Sequence, residues 1–183
     1  MSRRLVAIAA AVLACSIPFA ASAALSKISA EVIVDAELSP FGSFTGKSSA
    51  LSVADDGKEL KFTLPVSSIK TGIGGRDEDM VKRFGNAAVV LTVPRDQVKF
   101  PTDKPTKGTV KGKLSLNKAE TPVDVRYSAK KDGGTIVVDA DFSFDYKKHH
   151  VDHEGKRGDK ACKIGICVAP SLKVKVEGAK FKE

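Results

Sequence analysis

Apolar side chains recur at every second position in run after run of this chain, and that period of two constrains the fold more than any other feature. Ile28, Ala30, Val32, Val34, Ala36 and Leu38 alternate with mostly polar neighbours. Leu60, Phe62, Leu64 and Val66 repeat the pattern, with Lys61 and Thr63 between them. Val110, Leu114 and Leu116 come next, then Val123, Val125 and Tyr127, then Ile136, Val138, Ala140, Phe142 and Phe144. Leu172, Val174 and Val176 complete the series, opposite Lys173, Lys175 and Glu177. Successive side chains of a strand point to opposite faces, so each run has one dry face and one wet face. One-sided burial suits antiparallel sheet, because parallel sheet is covered on both faces. Asp55-Asp56-Gly57, Pro101 to Pro105 and Asp132-Gly133-Gly134 mark turns between the runs. Several strands with short connections predict an all-β sandwich or barrel, and the period alone does not choose between them.

One stretch departs from the period. From Gly75 to Gly85, acids come first and bases last, and Met80 and Phe84 stand four apart. This pattern predicts one short helix near residues 75–84, with charges that complement its dipole.

The N-terminus predicts a separate, removable segment. Arg3 and Arg4 precede a short apolar run, and Ala21-Ser22-Ala23 supplies a small-residue cleavage site. Residues 1–23 are therefore expected to be a secretory signal peptide, with 24–183 as one domain exported to the periplasm. The apolar run is short for a ~30 Å hydrocarbon core, and Pro18 interrupts the stretch beyond it. Val12-Leu13-Ala14-Cys15 loosely resembles a lipobox, so a lipoprotein anchored through Cys15 is the alternative.

The formal charge of +8 becomes +6 once Arg3 and Arg4 are removed. Lysines alternate with acids along the strands, and no aromatic stacking platform or nucleic-acid module is present, so nucleic acid is not an expected partner. Transient contact with an anionic membrane surface fits the basic balance. Two cysteines lie beyond the leader, Cys162 and Cys167. Their even number in an oxidising compartment predicts a disulfide closing a small loop, while the spacing lacks thioredoxin and haem signatures.

Three stretches resemble the YceI-like, lipocalin-like proteins of the bacterial periplasm. They are Phe41-Gly42-Ser43-Phe44-Thr45-Gly46; Ser68-Ile69-Lys70-Thr71-Gly72 with Arg76-Asp77 and Met80; and Leu114-Ser115-Leu116 with Thr121-Pro122-Val123. The chain departs from that pattern at Asn117-Lys118-Ala119, around Ala87 to Val93, and at Phe144 to His150. The resemblance implies an eight-stranded antiparallel barrel that needs no cofactor and holds an isoprenoid lipid, a polyprenyl diphosphate or a quinone, as carrier or sequestering protein.

Inward aliphatic and phenylalanine positions favour a hydrocarbon ligand over a sugar or nucleotide. The expected wall is Val32, Val34, Phe44, Leu60, Phe62, Leu64, Leu114, Leu116, Val125, Val138, Phe142 and Phe144, each of which could equally be plain core. Arg76, beside the helix, is the expected head-group contact, with a salt bridge to Asp77 or Asp79 as its alternative.

All three histidines fall in His149-His150-Val151-Asp152-His153-Glu154, which raises a second function class: a periplasmic metal handler using this loop, with His150 and His153 as ligands. Catalysis is not expected. The sequence has no nucleophile elbow, phosphate loop or H-E-x-x-H helix, and alternation sends most carboxylates to the wet face.

Overall fold

The computed structural model describes residues 24–39, 42–149, 162–163 and 166–182. Ten strands form one antiparallel sheet: β1 (Ser26–Ser39), β2 (Ser43–Ser48), β3 (Ser52–Asp55), β4 (Glu59–Pro65), β5 (Ala88–Pro94), β6 (Thr106–Leu116), β7 (Ala119–Asp132), β8 (Thr135–Asp145), β9 (Cys162–Lys163) and β10 (Ile166–Lys182). Their hydrogen-bonded order is β2-β1-β10-β8-β7-β6-β5-β4-β3, with β9 paired to β10. Among the described residues the fold is all-β and strongly curled, with one α-helix, α1 (Gly74–Phe84), where the charge pattern predicts one.

The ladder path counts nine strands rather than the expected eight because one strand is split. β2 pairs with β1, the chain leaves that partner at residues 49–51, and β3 then pairs with β4. The run 43–55 thus links the two edges of a curled half-barrel. Lys47 and Lys70 exchange backbone hydrogen bonds of 2.9 Å beside this seam. Ser48 Oγ lies 2.7 Å from Ser68 Oγ across the same gap.

Two glycines of the Phe41–Gly46 stretch have distinct tasks here. Gly42 turns at φ +102°, and a Cβ on Gly46 would sit 2.5 Å from an Ile69 methyl, so only hydrogen lets the two segments meet. The other signature stretch closes on itself. Asp77 Oδ1 accepts from Thr71 N at 2.9 Å and Thr71 Oγ1 at 2.7 Å, tying the start of α1 to the preceding turn. These two bonds, the hydroxyl foremost, hold the Asp77 carboxyl below its usual value.

Alternation carries through to burial. In β6, Val110, Leu114 and Leu116 are buried while Lys111 and Lys113 are exposed. Oppositely charged outer residues meet across strands, as in Arg126–Asp141 (Nε–Oδ2 3.0 Å) and Lys173–Glu37 (3.4 Å). Such exposed pairs each contribute about 0–1 kcal/mol, so interior packing must supply the stability.

The period also breaks in two places. Register shifts near Lys27 and Ser29 turn Ile28 outward, leaving it 55% exposed, while Ala30 and Val32 point in. In β10, Gly178 at φ +56° lies within a register shift, so the inward series passes from Val174 and Val176 to Ala179 and Phe181.

Candidate functional site

The interior divides along the strand direction. One end carries Ser26, Asp55, Pro94, Thr106, Asp132, Thr135 and Lys182; the other carries Ser39, Pro65, Leu116, Ala119 and Asp145. A cavity of about 130 Å³ reaches from the first end toward the middle. It is lined by inward residues of β1, β4 to β8 and β10, by Leu51 at the seam, and by Val98, Lys99 and Phe100 from the β5–β6 connection. Small residues make the room, since Ala129, Ala140 and Ala179 all face it.

The lining is hydrocarbon apart from Lys99 and Tyr127. The Tyr127 hydroxyl accepts from Lys99 N at 2.7 Å, so it is already engaged. Among the described residues no buried side-chain polar atom lacks a partner. Apart from the exposed Lys99, an occupant would therefore meet no unsatisfied donor or acceptor in the wall. Only an apolar molecule, or the apolar part of one, gains by entering, because a buried polar group without a partner costs free energy.

A polar clamp pins the β3 and β5 termini at the cavity end. The Asp55 side chain is 1% exposed and that of Arg95 is 12% exposed. Arg95 Nε donates to both Asp55 oxygens, at 3.0 and 2.9 Å, while Leu25 N and Gly57 N donate to the same carboxylate at 3.0 and 2.9 Å. Burial pushes the Asp55 carboxyl up, but the Leu25 amide, Arg95 and the Gly57 amide outweigh it and hold the group below its ordinary value. Arg95 also lies 4.8 Å from the Phe100 ring centroid, which connects the clamp to the cavity wall. Leu25 itself lines the cavity, so the clamp holds the start of the described chain against it.

The opposite end is filled by bulkier buried side chains, among them Leu114, Leu116, Phe144, Tyr146 and His149. The β7–β8 ladder stops at Arg126–Asp141, and His149 lies beside the segments beyond it. His149 is 1% exposed. Its Nδ1 lies 3.1 Å from Leu116 O and its Nε2 2.9 Å from Thr121 Oγ1. A carbonyl oxygen only accepts, so Nδ1 must carry the proton in that contact. The Asn117 amide donates to His149 O at 2.9 Å, and the Phe144 ring meets the imidazole edge-on at 5.6 Å. Asn117 and Lys118, at φ 52° and 61°, form the two-residue hairpin turn that presents this amide.

Of the expected wall, Val32, Leu60, Phe62, Leu64, Val125, Val138 and Phe142 line the cavity. Val34, Phe44, Leu114, Leu116 and Phe144 do not. Leu114 and Leu116 are buried toward the packed end, Phe144 stacks on His149, Val34 packs against the core, and Phe44 lies beneath Arg76. Period two identifies the inward face but carries no information about position along the sheet, so it does not separate these five from the seven that line the cavity. Arg76 does not line the cavity either. Its guanidinium carbon lies 4.4 Å from the Phe44 ring centroid, and Asp77 is engaged with Thr71.

Sequence reasoning missed Leu25, Leu51, Val89, Leu91, Val93 and the Val98–Phe100 segment. The continuous apolar run Ala87–Leu91 hides its own alternation, and Val98–Phe100 lies in a connection where no period operates. Phe181 was hidden by the change of phase at Gly178.

Within the histidine cluster, His149 is a buried packing residue with both ring nitrogens used internally. His150 and His153 lie outside the described residues, as does Cys15. No group of three potential metal ligands occurs among the described residues. Cys162 and Cys167 face each other in register across β9 and β10, although their side chains lie outside the described residues.

The model of the YceI-like domain family matches residues 20–178. A polyisoprenoid-binding domain from Saccharophagus degradans, implicated in plant cell wall breakdown, superposes with a TM-score of 0.66 at 14% identity, covering 87% of this chain and 97% of that one. Burkholderia cenocepacia BcnA superposes with a TM-score of 0.57 at 16% identity, covering 83% and 96%. At such identities the likeness establishes the fold. No functionally curated protein matches the sequence.

Proposed function

We propose, given that this chain belongs to the YceI-like family, that it is a non-catalytic periplasmic protein that holds an isoprenoid hydrocarbon chain inside its curled sheet, as carrier or sequestering agent. The observation that carries this reading is an interior cavity whose wall offers hydrocarbon and no buried unsatisfied polar atom among the described residues. The polyisoprenoid-binding relative supports the class of ligand. The leader at residues 1–23 supports export, and an oxidising compartment suits a disulfide between the facing Cys162 and Cys167.

Size refines the proposal. A cavity of about 130 Å³ is close to the ~150 Å³ apolar cavity that accepts benzene, and matches one isoprene unit rather than a whole polyprenyl chain. At about 0.8 kcal/mol per buried methylene, one unit gains roughly 4 kcal/mol before the cost of association. A longer chain gains more only if the wall yields. Phe62 and Phe181, edge to face at 6.3 Å on the cavity wall, are the bulky groups whose rotation would open the most space. A diphosphate or quinone head group would stay outside the apolar interior, where water or rim side chains satisfy it.

Native mass spectrometry of the periplasmic protein, with organic extraction of the same sample, tests the reading. The expected result is a stoichiometric isoprenoid adduct. A bare mass that persists after incubation with polyprenyl lipids and quinones would overturn it.

A further inference from the structure

We propose that the cavity end of the sheet docks on an anionic phospholipid surface, and that hydrocarbon passes between bilayer and cavity through that end. The inference rests on the hydrocarbon-binding reading and adds the partner surface and its polarity. Its basis is a set of exposed lysines on adjacent strands at the cavity end, flanked by an exposed aliphatic side chain.

Ion pairs of the outer face, such as Lys47–Glu31, Lys113–Glu120, Lys173–Glu37 and Lys175–Asp35, lie on the middle and packed-end portions of the strands. Lys99, Lys107, Lys130, Lys131, Lys180 and Lys182 lie at the cavity end; all six are exposed, and none has a carboxylate within ion-pair distance among the described residues. The sheet sets them along one arc. Lys107 on β6 is opposite Ser128 of β7, Lys130 of β7 is opposite Val137 of β8, and Val137 is in turn opposite Lys180 of β10. Among the described residues, Asp103, Asp132 and Glu177 are the carboxylates near this arc, together with Asp139, which accepts from Gly178 N at 2.8 Å. Asp56, Glu59 and Asp96 lie on the β3–β4 side of the same end, so the basic arc faces one way.

Ile28 adds an apolar contact to this arc. Register shifts in β1 leave it 55% exposed, between Lys27, opposite Phe181, and Ser29, opposite Lys180. An exposed aliphatic side chain among lysines is complementary to a bilayer of anionic head groups over hydrocarbon. Lys99 belongs both to the arc and to the cavity lining, which places the charged surface and the proposed route for hydrocarbon at the same end.

The test compares two triple variants of equal charge change. Lys107→Gln, Lys130→Gln and Lys180→Gln neutralise the arc; Lys70→Gln, Lys118→Gln and Lys148→Gln neutralise lysines at the packed end. Binding is measured by sedimentation with vesicles of equal parts phosphatidylglycerol and phosphatidylcholine, and by titration with geranylgeraniol free of vesicles. The arc variant is expected to lose roughly a hundredfold in vesicle affinity, and the packed-end variant less than about threefold. Wild-type binding should fall steeply from 0.1 M to 1 M salt as screening tightens. Equal loss in both triples, or loss in neither, would overturn the docking proposal. Geranylgeraniol binding is expected to be unchanged in both triples, and its absence even from wild type would instead defeat the hydrocarbon reading.

Discussion

The two ends of this sheet share an alternating sequence pattern and differ in what fills the inward positions. Toward the packed end, Leu114, Leu116, Phe144, Tyr146 and His149 are all at most 6% exposed, and the imidazole lies where the β7–β8 ladder has stopped. At the cavity end, three alanines face the interior and a buried Asp55–Arg95 pair, rather than apolar bulk, ties the strand termini together. The barrel is thus anchored at one end by packing and at the other by a polar clamp around unfilled space. Such a division suits the proposed container, because one end must keep its shape while the other admits cargo.

The contrast between the ends predicts that removing the clamp has the largest effect. Asp55→Ala leaves the Arg95 guanidinium without its buried partner and is expected to cost about 3–5 kcal/mol in urea denaturation. The pH dependence has a definite sign. Since the folded-state carboxyl is held below its usual value, its contribution is complete above the unfolded value near ~3.9 and disappears as pH falls through the folded value. The variant should therefore have a flatter acid limb in its stability profile than wild type.

Adding bulk separates the two ends directly. Ala36, 1% exposed and next to Phe44 and Leu172 in register, has no room for a larger side chain, so Ala36→Leu is expected to cost about 1–3 kcal/mol. Ala140→Leu points into the cavity and should change stability by less than about 1 kcal/mol while weakening isoprenoid uptake. Similar stability losses in the two variants would mean that the cavity end is as tightly filled as the other.

His149→Leu sharpens the same contrast. It strands Leu116 O and the Thr121 hydroxyl, with an expected cost of about 1–3 kcal/mol by thermal melting and no change in geranylgeraniol affinity. The smallest effect belongs to Arg76→Ala. Loss of its contact with Phe44 should cost about 0.5–1 kcal/mol and leave uptake intact, since the guanidinium lies off the cavity wall.

Much of this architecture was legible in the residue order. The alternation from Val110 to Phe144 produced strands with the expected inward faces, and the charge gradient from Asp77 to Arg83 located the helix. The features that escaped depend on long-range geometry. The seam at residues 49–51 splits one strand between two partners, and no local period reports such an exchange. Gly178 reverses the phase of β10, so a reading that ended at Val176 could not reach Phe181. The cavity itself is a property of volumes summed across strands, whereas a sequence shows only that Leu116 and Leu60 are both inward. His149 looked like part of a solvated cluster because its neighbours are polar. Its burial comes from Leu116, Thr121 and Phe144, each at least five positions away in the chain.

The most direct test of the central claim is methyl NMR on protein labelled at alanine, valine and leucine, titrated with geranylgeraniol. Saturable shifts are expected at Ala129, Ala140 and Val138, with Leu114 and Leu116 unmoved. Shifts centred on Leu114 and Leu116, or no saturable shift at all, would contradict a hydrocarbon site at the cavity end.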